Sequence, residues 1–298
     1  MSVDLYRQFQ LNVQKEKLLT GKDKVVIGIS GGVDSMILAN LMVRYFQHPE
    51  KQIFLAHVNY HLRDNSDDES HLIEEFAKKH NIIAELIDWN KPQNSNSIER
   101  QARDFRYNFY EQVATKYGAK KIVLAHHAND QAETILLKLI RGGDWTQFAG
   151  MSFIRPTENG SEIIRPLLNI SKTNIINYAQ LNQIEWVEDQ TNFDPDYTAR
   201  NTIRNLILPE MEKLNNKAVE HISDFGQFIT NLESEMLPEM LRRWIKNQIP
   251  SQPLKEQQLE DFANLIQNSK KPYGKIELEN GVFLKKEKND IKIHKIKT

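Results

Sequence analysis

The feature that most constrains this chain is a change of period across residues 24–42. Val25, Val26, Ile27 and Ile29 form the continuous apolar run of a buried strand, whereas Met36, Leu38, Leu41 and Met42 recur at helical spacing. Between the two runs lie Ser30, Gly31, Gly32, Val33, Asp34 and Ser35. Two glycines let the backbone turn sharply and approach a ligand closely. A helix that starts there aims unpaired N–H groups, and about half a positive charge, at the turn. These six residues therefore read as a phosphate cradle.

The cradle is not a Walker A loop, because no Gly-Lys-Ser/Thr closes it, and it lacks the third glycine of a dinucleotide fingerprint. Asp34 narrows the choice further. A carboxylate beside phosphates is repelled unless a divalent cation separates them, and Mg²⁺ suits carboxylate plus phosphate oxygens. The spelling Ser-Gly-Gly-Val-Asp-Ser resembles the pyrophosphate loop of the ATP pyrophosphatases that adenylate their substrates. Enzymes that use a similar loop to thiolate tRNA or reduce adenylylsulfate generally work through cysteines. The chain has none, which also removes disulfides, thiolate zinc sites and a catalytic thiol.

At 298 residues the chain is long enough for two domains. No stretch reads as a membrane span. Residues 1–22 are polar with scattered Leu5, Phe9, Val13, Leu18 and Leu19, which suggests a surface helix rather than a signal core, so the expectation is a cytoplasmic protein. Net charge is −1, but residues 270–298 hold nine lysines against Glu277, Glu279, Glu287 and Asp290. That surplus fits either a phosphate backbone or a solvated tail.

Further strands are expected at residues 53–59, 82–87 and 121–125, each followed by a helical pattern. Recurring strand–helix units predict a doubly wound parallel sheet with helices on both faces. Polar residues gather at the strand ends, where open α/β sheets bind ligands. His57 and Asn59 close the second strand. The fourth runs into His126, His127, Asn129, Asp130 and Glu133. Asn129 is expected to cap the next helix, placing Asp130 and Glu133 on one side of its start. Complementing the helix dipole would explain these acids as well, and His126, His127 and Asp130 also have metal-ligand chemistry.

Arg103 and Arg106 lie three apart on the helix that starts near Ser97, and Glu99 with Arg103 also reads as a surface pair. Arg141, Gly142, Gly143 and Asp144 end the helix after the fourth strand with a glycine stop, and the loop beyond them to Gly160 looks flexible. A polar stretch ending at residue 197 precedes a helix carrying Arg200, Asn201 and Arg204, and reads either as a flap over a phosphate-bearing ligand or as a solvated connection. Past Pro209 the sequence turns helical at 222–232, 237–249 and 254–266. It then alternates around Asn280 and Gly281 as a hairpin does, with a third strand at Ile291 and Ile293. The expected division is a nucleotide-binding domain over 1–210 and a small helical domain with a terminal β-hairpin over 211–298.

With these residues in place the chain resembles the tRNA(Ile)-lysidine synthetases. The resemblance rests on the turn at 30–35, His57-Val58-Asn59 with Leu62-Arg63, Ala102-Arg103 with Arg106-Tyr107, and His126-His127 with Asp130, Glu133 and Thr134. It continues through Arg165-Pro166-Leu167-Leu168, Glu188-Asp189 with Asn192, and Arg200-Asn201 with Arg204. It departs at Tyr60-His61 and at Asn205, to which no role is carried over.

The resemblance implies an adenine nucleotide α-hydrolase-like fold. It also implies a ligase that uses ATP and Mg²⁺ to join L-lysine to the wobble cytidine of an isoleucine tRNA with a CAU anticodon. Ser30, Gly31, Gly32, Val33, Asp34, Ser35 and His57 would bind the nucleotide, with Asp34 at the metal. Arg106 would neutralise phosphate charge. Asp130 and Glu133 would hold lysine, and Arg200, Asn201 and Arg204 would contact substrate. Larger members carry a further C-terminal domain that grips tRNA, and this chain is expected to stop before it. The rival readings are another adenylating ligase or amidotransferase synthetase domain with a small-molecule acceptor, and a nucleotide-binding regulator without turnover.

Overall fold

The computed structural model describes residues 4–61, 66–89, 98–188, 198–267, 271–288 and 290–295. The apolar runs become a sheet of β1 (Val25–Gly28), β2 (Ile53–Asn59), β3 (Ile83–Asp88), β4 (Lys121–Val123), β5 (Ile154–Pro156) and β6 (Glu162–Ile164). Their order is β3-β2-β1-β4-β6-β5, parallel throughout except for the antiparallel edge strand β5. Every residue of β1 and β2 is buried, which is why these strands read as unbroken apolar runs rather than alternating ones.

The side chains of β1 and β2 divide between the two faces. Val25, Ile27, Ile53 and Leu55 join Phe9, Leu41, Ile73 and Ile175, whereas Val26, Phe54 and Ala56 join Phe109, Tyr110 and Val113. One face is thus covered by α1 (Leu5–Lys15), α2 (Val33–Tyr45), α4 (Ser66–His80) and α7 (Lys172–Leu181), and the other by α5 (Ile98–Tyr117). A single turn, α3 (Pro49–Gln52), leads into β2. Gly28 permits the close approach of α5, because a Cβ there would stand 2.6 Å from the Tyr110 ring.

The chain lays β2 and β3 on one side of β1 and returns to place β4 on the other. The carboxyl ends of β1 and β4 therefore flank the point where strand order reverses, the usual ligand crevice of such sheets. α6 (Ala128–Ile140) follows β4, and α8 (Ala199–Thr202) continues through a π-helical turn, Ile203–Ile207, into α9 (Leu208–Leu214). Ile203, Leu208 and Val219 pack with Ala128 and Ala132 of α6, so residues beyond 210 share this core.

Two stretches differ from the sequence expectation. The glycine stop at 141–144 ends α6 as expected, but the stretch beyond it to Gly160 holds a 3₁₀ turn, Trp145–Ala149, and β5 rather than only a flexible loop. Gln131 of α6 holds them: its Nε2 donates to the Ala149 and Met151 carbonyls, and its Oε1 accepts from the Met151 N–H at 2.7 Å. The two helices expected over 222–249 are one, α10 (Ala218–Gln248), with Pro238 inside it.

By contacts the chain forms two compact units, Met1–Gly226 and Gln227–Thr298. The second contains the C-terminal part of α10, α11 (Glu256–Gln267) and an antiparallel sheet of β7 (Tyr273–Glu277), β8 (Val282–Glu287) and β9 (Asp290–Lys295). Asn280 and Gly281 have φ of 61° and 66°, the double positive φ of a tight hairpin turn. Leu278, Val282 and Leu284 pack on Leu241, Ile245, Leu259 and Phe262. Not all the C-terminal lysines face solvent: Lys286 is buried and donates to the last carbonyls of α11, Leu265 and Ile266. Among the described residues no helix is long and apolar enough to cross a membrane.

Candidate active site

The loop at residues 30–35 is folded by its own serines. Ser35 Oγ accepts from the Ser30 N–H at 3.1 Å and donates to the Gly32 carbonyl at 3.0 Å. Gly31 has φ +79°, the left-handed conformation that glycine adopts without strain. Gly32 is the N-cap of α2 and, having no side chain, leaves the first-turn amides without a side-chain acceptor. Donors at a helix start that lack a cap are suited to an anion. Val33 and Asp34 are the first two residues of the helix and are partly exposed at its mouth.

Asp34 is already engaged. Both of its oxygens accept from Lys172 Nζ, at 2.6 and 2.7 Å, and His127 Nε2 lies 3.6 Å from Oδ1. Burial works to raise this carboxyl, but His127 and Lys172 outweigh it and hold Asp34 below its ordinary value. Lys172 begins α7, and its own N–H donates to Asn129 Oδ1 at 2.9 Å. Asn129 therefore fastens α7 rather than capping α6. The cap is His127, which forms a reciprocal capping box with Asp130.

The two adjacent histidines face different partners. His127 Nε2 lies between Asp34 and Asp130, 3.5 Å from Asp130 Oδ2. Burial lowers the His127 pKa, yet the two carboxylates raise it overall. His126 instead accepts at Nδ1 from Arg165 Nε at 3.1 Å, and burial with the surrounding arginines pushes it down to about 3. The pair does not converge on a common ligand. Among the described residues no group of three His, Asp or Glu is placed to hold a metal ion.

Asp130 and Glu133 do lie together, against Arg200 and Arg204. Glu133 is fully buried. It accepts from Arg200 Nε at 2.5 Å and from Arg204 Nε at 2.6 Å, while Arg200 Nη2 reaches Asp130 Oδ1 at 3.1 Å. Two carboxylates meet two guanidiniums, so the cluster is balanced. Burial would raise Asp130, but His127, His126 and both arginines hold it well below the carboxylate range. Asn201 is buried at the start of α8, where Thr198 Oγ1 accepts from its N–H.

His57 stands behind the loop. Its Nδ1 donates to the Ile29 carbonyl at 3.0 Å, which leaves Nε2 as the bare acceptor of a neutral ring. That atom is buried without a partner among the described residues, and burial lowers the His57 pKa. Arg106 is half-buried among Tyr60, Tyr107 and Tyr110 and bonds Tyr60. The side chain of Glu99 lies outside the described residues, and the i,i+4 pair seen on α5 is Arg100 with Asp104. The expected flap over 189–197 and Leu62-Arg63 of the resemblance also lie outside them.

Residues 2–211 match the family model described as the PP-loop domain. The chain belongs to the PP-loop family. This PP-loop chain is 37 % identical over 227 residues to a tRNA(Ile)-lysidine synthase of Lactiplantibacillus plantarum, covering 76 % of this chain and 50 % of that protein. It is 33 % identical over 245 residues to the tRNA(Ile)-lysidine synthase of Enterococcus faecalis, covering 82 % and 52 %. The chain thus spans about half the length of these curated relatives. In fold it is similar to the U34-tRNA thiolase NcsA of Methanococcus maripaludis, a structure with a [4Fe-4S] cluster. The TM-score is 0.61 at 17 % identity, over 76 % of this chain and 77 % of that one. The present chain has no cysteine with which to hold a thiolate-bound cluster.

Sequence reasoning passed over Lys172, Arg155, Arg165 and Tyr107 as members of a site. A lysine 138 residues after Asp34 carries no local sign that it will meet it. Arg165 and Tyr107 do lie within the Arg165-Pro166-Leu167-Leu168 and Arg106-Tyr107 strings, which were the signals available for them.

Proposed function

We propose that this PP-loop protein uses ATP to ligate L-lysine to the wobble cytidine of an isoleucine tRNA with a CAU anticodon, giving lysidine through an adenylated cytidine. The observation that carries the reading is the link from Asp34, on the uncapped phosphate loop, through His127 to the balanced cluster of Asp130, Glu133, Arg200 and Arg204. An anion cradle thereby adjoins a site with both signs of charge. The relatives named tRNA(Ile)-lysidine synthase support the choice of substrate.

The amides of residues 31–35 would take the pyrophosphate of ATP, and the unpartnered His57 Nε2 supplies a buried acceptor nearby. Mg²⁺ fits Asp34, a single first-turn carboxylate beside a phosphate site, provided Lys172 turns from it to the phosphates. Such an ion would offset phosphate charge. Arg106 would add charge compensation during attack of the cytosine O2 on the α-phosphate.

Lysine enters a site whose acids already have arginine partners. An amino acid can exchange with them: its carboxylate takes Arg200 or Arg204, and its ammonium takes the acids released. Lysine must also lose a proton to act as a nucleophile, since an ammonium pKa is about 10.4, and a carboxylate of the cluster can accept it. In this reading residues 1–210 form the catalytic domain and 211–298 a second domain.

The test is what must be present before ATP is split. Pyrophosphate release should require an isoleucine tRNA with an unmodified wobble cytidine, and stable product should additionally require lysine. Asp34→Ala should abolish AMP formation in a folded protein. Pyrophosphate formed from ATP and lysine without tRNA would overturn the assignment in favour of a small-molecule ligase.

A further inference from the structure

Arg165 presents an unusual electrostatic situation. It is 3 % exposed, and its guanidinium donates to His126 Nδ1 and to the Ser152 carbonyl, both neutral acceptors. It also bonds Tyr107, with Arg155 and Arg103 close enough to act on it as like charges. The Arg103 and Arg155 guanidiniums lie 5.0 and 5.2 Å from the centre of the Tyr107 ring, and Arg106 is the preceding residue on α5. Among the described residues none of these four arginines forms an ion pair with a carboxylate. A buried cation without a counter-charge is costly, and proteins tolerate one chiefly where a ligand supplies the missing charge.

Position says which ligand. Arg165 follows β6 directly, and β6 lies two strands from β1, whose end becomes the phosphate loop. Neighbouring strands are spaced about 4.8 Å apart, so the cluster stands roughly 10 Å along the sheet edge from the pyrophosphate cradle. Arg103 and Arg155 are exposed, at the outer side of the group. In the functional reading above, a nucleotide whose base reaches the α-phosphate would carry its backbone near this rim. Planar guanidiniums that fork onto phosphate oxygens suit that backbone, whereas the nucleotide pyrophosphate already has its own cradle.

We propose that Arg103, Arg155 and Arg165, gathered about Tyr107, form a phosphodiester site that grips the RNA backbone beside the reacting nucleotide. Arg165 is the buried anchor and Tyr107 the plane that spaces the two outer arginines. The site rests on the functional reading above for the identity of its RNA, but a backbone contact is blind to sequence. Arg155 and Arg103 touch neither Asp34 nor the Asp130 and Glu133 cluster.

The experiment measures retention of two RNAs on a filter, the isoleucine tRNA and an unrelated tRNA, across a salt series. Wild type, Arg155→Ala, Arg103→Ala and Arg155→Lys are compared, with thermal midpoints to confirm folding and with KM for ATP. Arg155→Ala and Arg103→Ala should each weaken both RNAs roughly tenfold, and each should lower the slope of log affinity against log salt by about one. KM for ATP should hold, and Arg155→Lys should recover the slope better than the affinity. A rise in KM for ATP with RNA retention unchanged would assign the cluster to the nucleotide and overturn the proposal, as would no change in either. If wild type retains RNA and the variants lose it, yet no pyrophosphate is released with the isoleucine tRNA, the backbone site stands and the functional reading fails.

Discussion

Two arginine clusters of the first unit flank the adjacent histidines, and they are built on opposite terms. On the His127 side Arg200 and Arg204 are matched by Asp130 and Glu133, with every carboxylate oxygen of Glu133 accepting a guanidinium N–H. On the His126 side Arg103, Arg106, Arg155 and Arg165 gather around tyrosines and a neutral imidazole, and none of them forms an ion pair with a carboxylate among the described residues. A matched cluster holds elements together before any ligand arrives. An unmatched one leaves its charge available to a ligand. The same residue type thus ties α8 to α6 in one place and keeps a site anionophilic in the other.

Among substitutions read at neutral pH, breaking the matched side should have the largest effect. Glu133→Gln removes the buried charge that both arginines share, and should lower stability by about 2–3 kcal/mol, the arginines being about one-third exposed and able to recover some hydration. Denaturant midpoints check this, and a loss below about 0.5 kcal/mol would mean the cluster is not a structural tie.

Acid titration separates the two histidines by the sign of their contributions. Burial holds His126 near 3 rather than its ordinary 6.5. As pH falls from 6.5 towards 3, the unfolded chain binds a proton that the folded His126 refuses, so stability falls by up to about 1.4 kcal/mol per pH unit. His127, whose pKa is raised, contributes in the opposite sense. His126→Gln should therefore flatten the decline of stability between pH 6.5 and 4. Parallel curves for variant and wild type would show that His126 is not buried neutral.

The smallest effect is expected from the unmatched side. Arg165→Met loses its hydrogen bonds to His126, the Ser152 carbonyl and Tyr107 but also removes an uncompensated buried charge, so the net change should be about 1 kcal/mol or less. A loss as large as that of Glu133→Gln would erase the contrast between the clusters.

The sheet was legible because both of its faces are covered. Burial of every residue in β1 and β2 turns a strand into an apolar run that needs no partner to be recognised. β5 was not legible, since Ile154, Arg155 and Pro156 form an edge whose order depends on Gln131 of a different element. The two helical stretches over 222–249 were read apart, although α10 runs through the gap between them and past Pro238. Within the site, the glycine turn and the Asp130 and Glu133 spacing were readable. The partners those carboxylates take, from residues 67 to 74 positions away, were not.

The sequence alone determined the glycine turn after β1, the parallel α/β unit around it and the terminal hairpin. Each of these depends on local backbone chemistry or on periodicity within one segment. Only the tertiary structure decided that Lys172 sits on Asp34, that His127 rather than Asn129 caps α6, and that one group of arginines is neutralised while another is not. Charge balance is a property of three-dimensional neighbourhood: Coulomb interaction and desolvation depend on distance and burial, and neither is written in the spacing of residues along a chain.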